Sequence, residues 1–130
     1  MKNKMEKWVG YDFGRNGWSE NRENHSDAFD QFVRDFRSYM KAEGKRLGLT
    51  PLPFKPYWFI ASGFVLNEKS GKMAYWSISD VRYFKDEWYN HVLYRTAKNE
   101  KDYTGGRNHF CELPDLMESI MDLTNEPLDK

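Results

Sequence analysis

The chain has 130 residues, of which 39% are hydrophobic and 17% aromatic, so it has the size of one ordinary domain and enough bulky side chains for a core. Its 20 Lys and Arg residues balance its 20 Asp and Glu residues, which excludes the strong overall basic field of a typical nucleic-acid binder and the acidic field of a DNA mimic. A single cysteine, Cys111, excludes an internal disulfide and is expected to be a small buried hydrophobe. No apolar run approaches the ~18 residues of a membrane span, and we expect a soluble cytoplasmic protein of one domain.

The first 24 residues are polar and rich in Asn, Gly and Arg, but aromatic residues recur among them, including Trp8 and Trp18. This pattern predicts an irregular N-terminal arm that is held in place by its aromatic side chains. The arm either packs over a sheet edge or the long helix, or contacts a partner.

Residues 27–43 predict a long amphipathic helix, because their apolar residues recur at intervals of three and four. Ser26 is a good N-cap, and Gly44 suits the C-terminal end. The predicted buried stripe consists of Ala28, Phe29, Phe32, Val33, Phe36, Tyr39 and Met40.

The next segments predict a sheet. Residues 48–56 contain three prolines and are expected to be an extended connector. Residues 57–66 and 72–81 predict two strands joined by a hairpin loop. The aromatic residues expected to stack across this pair are Trp58, Phe59, Phe64, Tyr75 and Trp76. Residues 88–97 favour a third strand over a helix, with Val92 and Tyr94 on one face and His91, Leu93 and Arg95 on the other. Residues 107–113 indicate a short fourth strand.

Pro114 is expected to open a second helix, whose buried side would include Leu116, Met117, Ile120, Met121 and Leu123. Residues 125–130 are expected to fray. The order of elements predicts an α+β fold, in which an antiparallel sheet of three to four strands is packed against a long N-terminal helix and a short C-terminal helix.

The segment 101–110 is the most distinctive polar stretch, since two adjacent glycines stand between polar groups. Paired glycines let backbone amides converge on an anion, and Arg107 would supply a charge. A double glycine is also an ordinary way to tighten a β-turn. The spacing matches neither a phosphate-binding loop nor a dinucleotide-binding fingerprint.

Catalysis has weaker support. His91 and His109 would provide an acid and a base for phosphodiester cleavage if they faced each other across adjacent strands, while His25 stands apart. His109 and Cys111 alone do not make a metal ligand set, so neither a metal nor a cofactor is predicted. We lean towards a protein that is not an enzyme.

A nucleic-acid surface is an alternative, because aromatic residues on a sheet can stack on bases. The last 20 residues contain six acids and one base, which leaves the first 110 with a net charge of plus five. The cations that would then have to cluster are Lys69, Lys72, Arg95, Lys98, Lys101 and Arg107.

Two stretches, 14–22 (GRNGWSENR) and 101–108 (KDYTGGRN), resemble segments of small accessory proteins carried by phages, plasmids and conjugative elements of Gram-positive bacteria. The resemblance implies a non-catalytic accessory or counter-defence protein, with anti-CRISPR proteins as one such group. Such a protein would occupy a surface of a host protein or ribonucleoprotein complex, here through aromatic and charged loops rather than through DNA mimicry.

The aromatic content leads to the same function, because Trp, Tyr and Arg are the residues that anchor interfaces. The hypothesis is therefore a protein-binding module, with nucleic-acid binding as the alternative. The candidate binding residues are Arg15, Trp18, Arg95, Lys98, Lys101, Asp102, Tyr103, Gly105, Gly106, Arg107 and Asn108.

Overall fold

The structure, a computed structural model, describes residues 4–9, 27–56, 60–78, 91–102 and 107–125. Its helices are α1 (Asp27–Leu47) and α2 (Leu116–Thr124), with single 3-10 turns at Glu6–Trp8 and Leu113–Asp115. Its strands are β1 (Leu49–Pro51), β2 (Ala61–Asn67), β3 (Met73–Ile78), β4 (His91–Ala97) and β5 (His109–Glu112). Neither described helix is both long and apolar enough to cross a bilayer.

The five strands form one antiparallel sheet in the order of the chain, β1-β2-β3-β4-β5. The predicted α+β class, with an antiparallel sheet, a long first helix and a short last helix, is confirmed. The predicted strand number of three to four is wrong, because β1 lies in the segment that its prolines had assigned to a connector. Pro51 fits there because β1 is an edge strand, where one side of the backbone needs no ladder donors.

Helix α1 buries the predicted stripe from Phe29 to Met40 but is longer than predicted. Phe29, Phe32, Phe36, Tyr39 and Met40 are all at most 2% exposed. Gly44 does not end the helix. It lies inside the last turns, where a Cβ would stand 2.5 Å from the backbone oxygen of Leu49.

The helix ends at Leu47. The next residue is Gly48, whose φ of +79° is one that side chains rarely adopt. Its N–H donates to the Gly44 oxygen over 2.8 Å. The chain then enters β1 directly, which fixes α1 against the edge of the sheet.

The core lies between the sheet and the two helices, and aromatic rings fill most of its centre. Trp76 of β3 is fully buried, with its ring 5.0 Å from Phe36 and 4.9 Å from Phe54, both edge to face. Edge-to-face rings add about 0.5–1.5 kcal/mol beyond the area that they bury. Most of the aromatic residues that the structure describes therefore belong to the core or pack against it.

Buried polar side chains fasten the elements to one another. The Tyr39 hydroxyl accepts from the Met117 N–H at 2.9 Å and donates to the Pro114 oxygen at 3.2 Å, which joins α1 to the start of α2. Asn67, at the end of β2, donates to the Thr124 hydroxyl at 2.9 Å and accepts from the backbone of Lys69. Both helices are thereby fixed on the same face of the sheet.

The described part of the N-terminal segment packs on α1. Packing on the long helix belongs to one of the two alternatives that the sequence analysis left open. Trp8 is 5% exposed, meets Phe32 edge to face at 5.6 Å, and donates its indole N–H to Asp35 at 3.0 Å. Lys7 and Gln31 also bind this carboxylate, at 2.9 Å each. The remainder of the predicted arm lies outside the described residues. So does the predicted frayed tail, apart from Asn125, whose N–H binds the Met121 oxygen.

Candidate binding face

Alternate residues of the strands point away from both helices and form what we call the outer face. The register arranges these residues in rows that run across the sheet. One row is Thr50, Leu66, Met73 and Ala97. The next is Phe64, Tyr75, Arg95 and Asn108, and the third is Ser62, Ser77, Leu93 and Phe110.

The central row is connected from end to end by direct contacts. The rings of Phe64 and Tyr75 lie 5.4 Å apart, and the Arg95 guanidinium lies over the Tyr75 ring at 5.2 Å. Arg95 then donates from Nη1 to Asn108 Oδ1 at 3.0 Å. An arginine stacked on one side and hydrogen-bonded on the other is held in a defined orientation, which is how anchoring residues of interfaces are prepared.

Burial separates the outer face from the core. The apolar residues Phe64, Leu66, Met73, Tyr75 and Leu93 are half-buried, and none belongs to the core cluster. Phe110 is 55% exposed, the highest value among the large hydrophobic side chains of the described residues. Ile60, which continues the outward alternation of β2 by one residue, is 38% exposed. The outer face is thus a largely apolar surface with one ordered cation.

Several predicted binding residues lie together at one end of this face. Met73 pairs with Ala97 and Tyr94 pairs with His109, so the β2–β3 turn and both flanks of the β4–β5 connection leave the sheet at the same end. We call the described residues 67–72, 98–102 and 107–108 the end loops. They hold five cations (Lys69, Lys72, Lys98, Lys101 and Arg107) and three acids (Glu68, Glu100 and Asp102).

A tight turn orders one of these loops. The Asn99 side chain accepts from the Lys101 N–H at 2.8 Å, and the Lys98 N–H binds the Asp102 oxygen at 2.9 Å. Lys98, Lys101 and Asp102 are all exposed, as are Arg107 and Asn108. The predicted residues Tyr103, Gly105, Gly106, Arg15 and Trp18 lie outside the described residues. The double-glycine hypothesis stays a prediction.

The histidines do not meet as the nuclease hypothesis required. His91 pairs with Glu112, whereas His109 pairs with Tyr94 and stacks on its ring at 5.3 Å. The two positions are three residues apart along the ladder rather than opposite each other. His25 lies outside the described residues. The backbone register therefore does not place His91 and His109 opposite each other, as the nuclease hypothesis required.

Cys111 is half-buried on the helix side of β5 rather than fully buried, and it packs against the core. Burial raises the pKa of its thiol to about 11, despite a hydrogen bond with Ser119 that lowers it. The thiol is therefore protonated at neutral pH and is a poor nucleophile. No three His, Cys, Asp or Glu side chains of the described segments are grouped so that they could hold a metal ion.

An open cleft of about 280 Å³ lies elsewhere, lined by Glu6, Val9, Glu112, Pro114 and Asp115. It contains none of the predicted binding residues.

Sequence reasoning missed the most exposed part of the site. Phe110 points outward while its neighbour His109 points to the helix side, the reverse of the usual arrangement of apolar and polar residues. The stacking of Phe64 on Tyr75 was predicted, but Trp76 was placed in the same stack, although it lies on the opposite face. Strict alternation along β3 was the signal that could have separated Tyr75 from Trp76.

No protein-family model, curated protein or solved structure matches this chain.

Proposed function

We propose that the chain is a non-catalytic protein-binding module that docks through its outer face. The observation that carries this proposal is the apolar outer face, centred on the ordered row Phe64, Tyr75 and Arg95, on the side of the sheet away from both helices. Interface cores are enriched in aromatic residues, Met and Arg and depleted in Lys, Glu and Asp. The three rows of the outer face contain three aromatic residues, Met73 and Arg95, and no Lys, Glu or Asp.

The low positive charge of the outer face favours a protein partner over a nucleic-acid partner. Arg95 is its one cation among the described residues, so the face offers little of the phosphate neutralisation on which nucleic-acid affinity depends. Tyr75, moreover, already carries the Arg95 guanidinium on its ring. A protein surface needs neither a strong basic field nor free ring planes.

The proposed partner is a surface of a host nuclease complex, so that the module is a counter-defence inhibitor of a mobile genetic element. This part of the proposal is supported by the resemblance of stretches 14–22 and 101–108 to accessory proteins of phages and plasmids. The neutral total charge agrees with docking through an apolar face rather than with imitation of DNA.

The test combines capture with a biological readout. The double variant Phe64→Thr, Tyr75→Thr removes two outer-face rings with a residue that suits strands. Its matched control is Val9→Thr, which changes an apolar residue that is 39% exposed and lies outside the sheet. Both variants and the wild type would be expressed in a Gram-positive host whose CRISPR system targets an infecting phage, and also used to capture proteins from that host.

We expect wild type and Val9→Thr to restore plaques and to retain the same nuclease subunit, and the double variant to do neither. Equal activity of all three proteins in both assays would contradict the role of the outer face. Capture of a subunit without any rescue of plaques would keep the binding function but refute inhibition.

Nucleic-acid binding is the second candidate, favoured by the five cations that the register brings to the end loops. Single-stranded DNA or RNA held there would be released by salt, because binding would depend on displaced counterions. A gel shift at low salt that is lost in a Lys98→Ala, Lys101→Ala variant would support it. No shift at low salt would rule it out.

A further inference from the structure

The two edges of the sheet differ, and β5 is the edge that the described chain leaves open. β1 is three residues long, includes Pro51 and packs under the end of α1. β5 has β4 on one side and no described strand on the other. Its four residues include neither proline nor lysine, the residues with which edge strands usually prevent pairing with another chain.

The outward side chains near this edge are complementary to a second copy of themselves. Along the outer face they run Asn108, Phe110, Glu112. If two β5 strands pair antiparallel about a two-fold axis at Phe110, the two Phe110 rings meet, and each Glu112 lies opposite Asn108 of the other copy. Antiparallel partners directly opposite each other have Cβ atoms about 4.5–5.5 Å apart, which is close enough for these contacts.

The charges agree with this register. Asn108 is hydrogen-bonded to the Arg95 guanidinium at 3.0 Å, so the Glu112 carboxylate of the second copy would arrive beside a fixed cation. The alternative two-fold register about Cys111 would instead set each Phe110 against a Glu112 carboxylate. Of these two registers, the Phe110-centred one sets apolar against apolar and brings the Glu112 carboxylate beside the Arg95 cation.

We propose that the protein forms a homodimer by antiparallel pairing of its β5 strands about Phe110, so that two five-stranded sheets become one. Such an interface is isologous, because the same strand serves both copies. It buries the most exposed large hydrophobic side chain of the described residues. Phe110 also belongs to the outer face, but the inference does not rest on the proposed function, since it depends on the β5 edge and not on the rings of β2 and β3.

The first test is the mass in solution, measured by sedimentation over a series of concentrations. Wild type is expected to be a dimer, and Phe110→Asp a monomer at the same concentration because it sets two carboxylates against each other. Ile60→Asp is the matched control, since Ile60 is exposed on the same side but precedes β2, three strands from β5. It should stay dimeric. A monomeric wild type, or a dimeric Phe110→Asp, would overturn the proposal.

The second test does not require the charged variant to fold. In a Cys111→Ser background, Phe110→Cys and Ile60→Cys each supply one thiol, and diamide is the oxidant. Opposite positions in an antiparallel pair have the spacing that a disulfide needs. We expect a covalent dimer from Phe110→Cys and none from Ile60→Cys. No covalent dimer from Phe110→Cys, or equal yields from the two variants, would refute the β5 pairing.

Discussion

The two faces of this sheet are made by alternating residues of the same strands, yet they differ in what fills them. On the helix side, Trp76 is enclosed by Phe36 and Phe54. On the outer side, its neighbour Tyr75 is half-buried and touches Phe64 and Arg95 of the adjacent strands. The difference shows that an aromatic-rich sequence can serve two purposes at once: rings that hold helices to a sheet, and rings that the sheet presents on its other face.

The largest expected effect comes from truncating the two neighbours on β3. Trp76→Ala should lower the free energy of unfolding by about 3–5 kcal/mol, because it removes a fully buried ring from between two others. Tyr75→Ala should cost about 1–2 kcal/mol, since only part of its area is buried. Urea denaturation at neutral pH measures both. Equal losses would mean that the two faces do not differ in the way described.

A second substitution tests the buried hydrogen bonds that the Tyr39 hydroxyl makes between α1 and the start of α2. Tyr39→Phe should cost about 1–3 kcal/mol, because the Met117 N–H and the Pro114 oxygen lose their buried partner. The bond to the Pro114 oxygen requires a protonated hydroxyl, and burial, partly offset by the hydrogen bond from the Met117 N–H, raises the pKa of Tyr39, so the hydroxyl is protonated at neutral pH. Thermal unfolding is the readout.

The control for this contact is Ser62→Ala on the exposed outer side, which should change stability by no more than about 0.5 kcal/mol. A Tyr39→Phe protein as stable as this control would show that the hydroxyl is not needed to join α1 to α2.

Much of this architecture could be predicted from the sequence, but the edge strand β1 and the outward position of Phe110 could not. The period of three and four in α1 is a strong signal because one whole stripe, from Phe29 to Met40, is buried. The edge strand β1 was not recognised because it contains Pro51. A proline lacks a backbone N–H donor, which excludes it from a central strand but not from an edge strand. The exposure of Phe110 was not predicted because apolar residues of a strand usually face the core. Residues that break this rule concentrate at functional surfaces. The clustering of the end loops follows from the hairpin register alone.

The smallest expected effect is a pH dependence of protein stability that arises from the buried carboxylate of Asp35. Burial raises the pKa of Asp35, but the hydrogen bonds from Lys7, Trp8 and Gln31 outweigh it and lower the pKa below its ordinary value of 3.8. A carboxylate with a lower pKa when folded stabilises the protein above that ordinary value, and the contribution is lost as the pH falls through the folded pKa.

Replacing this carboxylate should therefore flatten the acid limb of the stability curve. Asp35→Asn should be less stable than wild type at neutral pH, and the gap in melting temperature should narrow below about pH 4. Circular dichroism melts between neutral and acid pH measure the gap. A constant gap over this range would mean that Asp35 is not the carboxylate whose charge holds Trp8 to α1.

The difference between the two faces is tested most directly by the rates at which hydroxyl radicals oxidise Tyr75 and Trp76 in the folded protein. Both side chains react readily when water reaches them, and they are neighbours on β3, so sequence position and strand are matched. We expect Tyr75 to be oxidised and Trp76 to be protected until the protein is unfolded by urea, when both react. Oxidation of Trp76 as fast as Tyr75 in the folded protein, or protection of both, would contradict a β3 strand whose Trp76 is buried on the helix side and whose Tyr75 is only half-buried on the outer side.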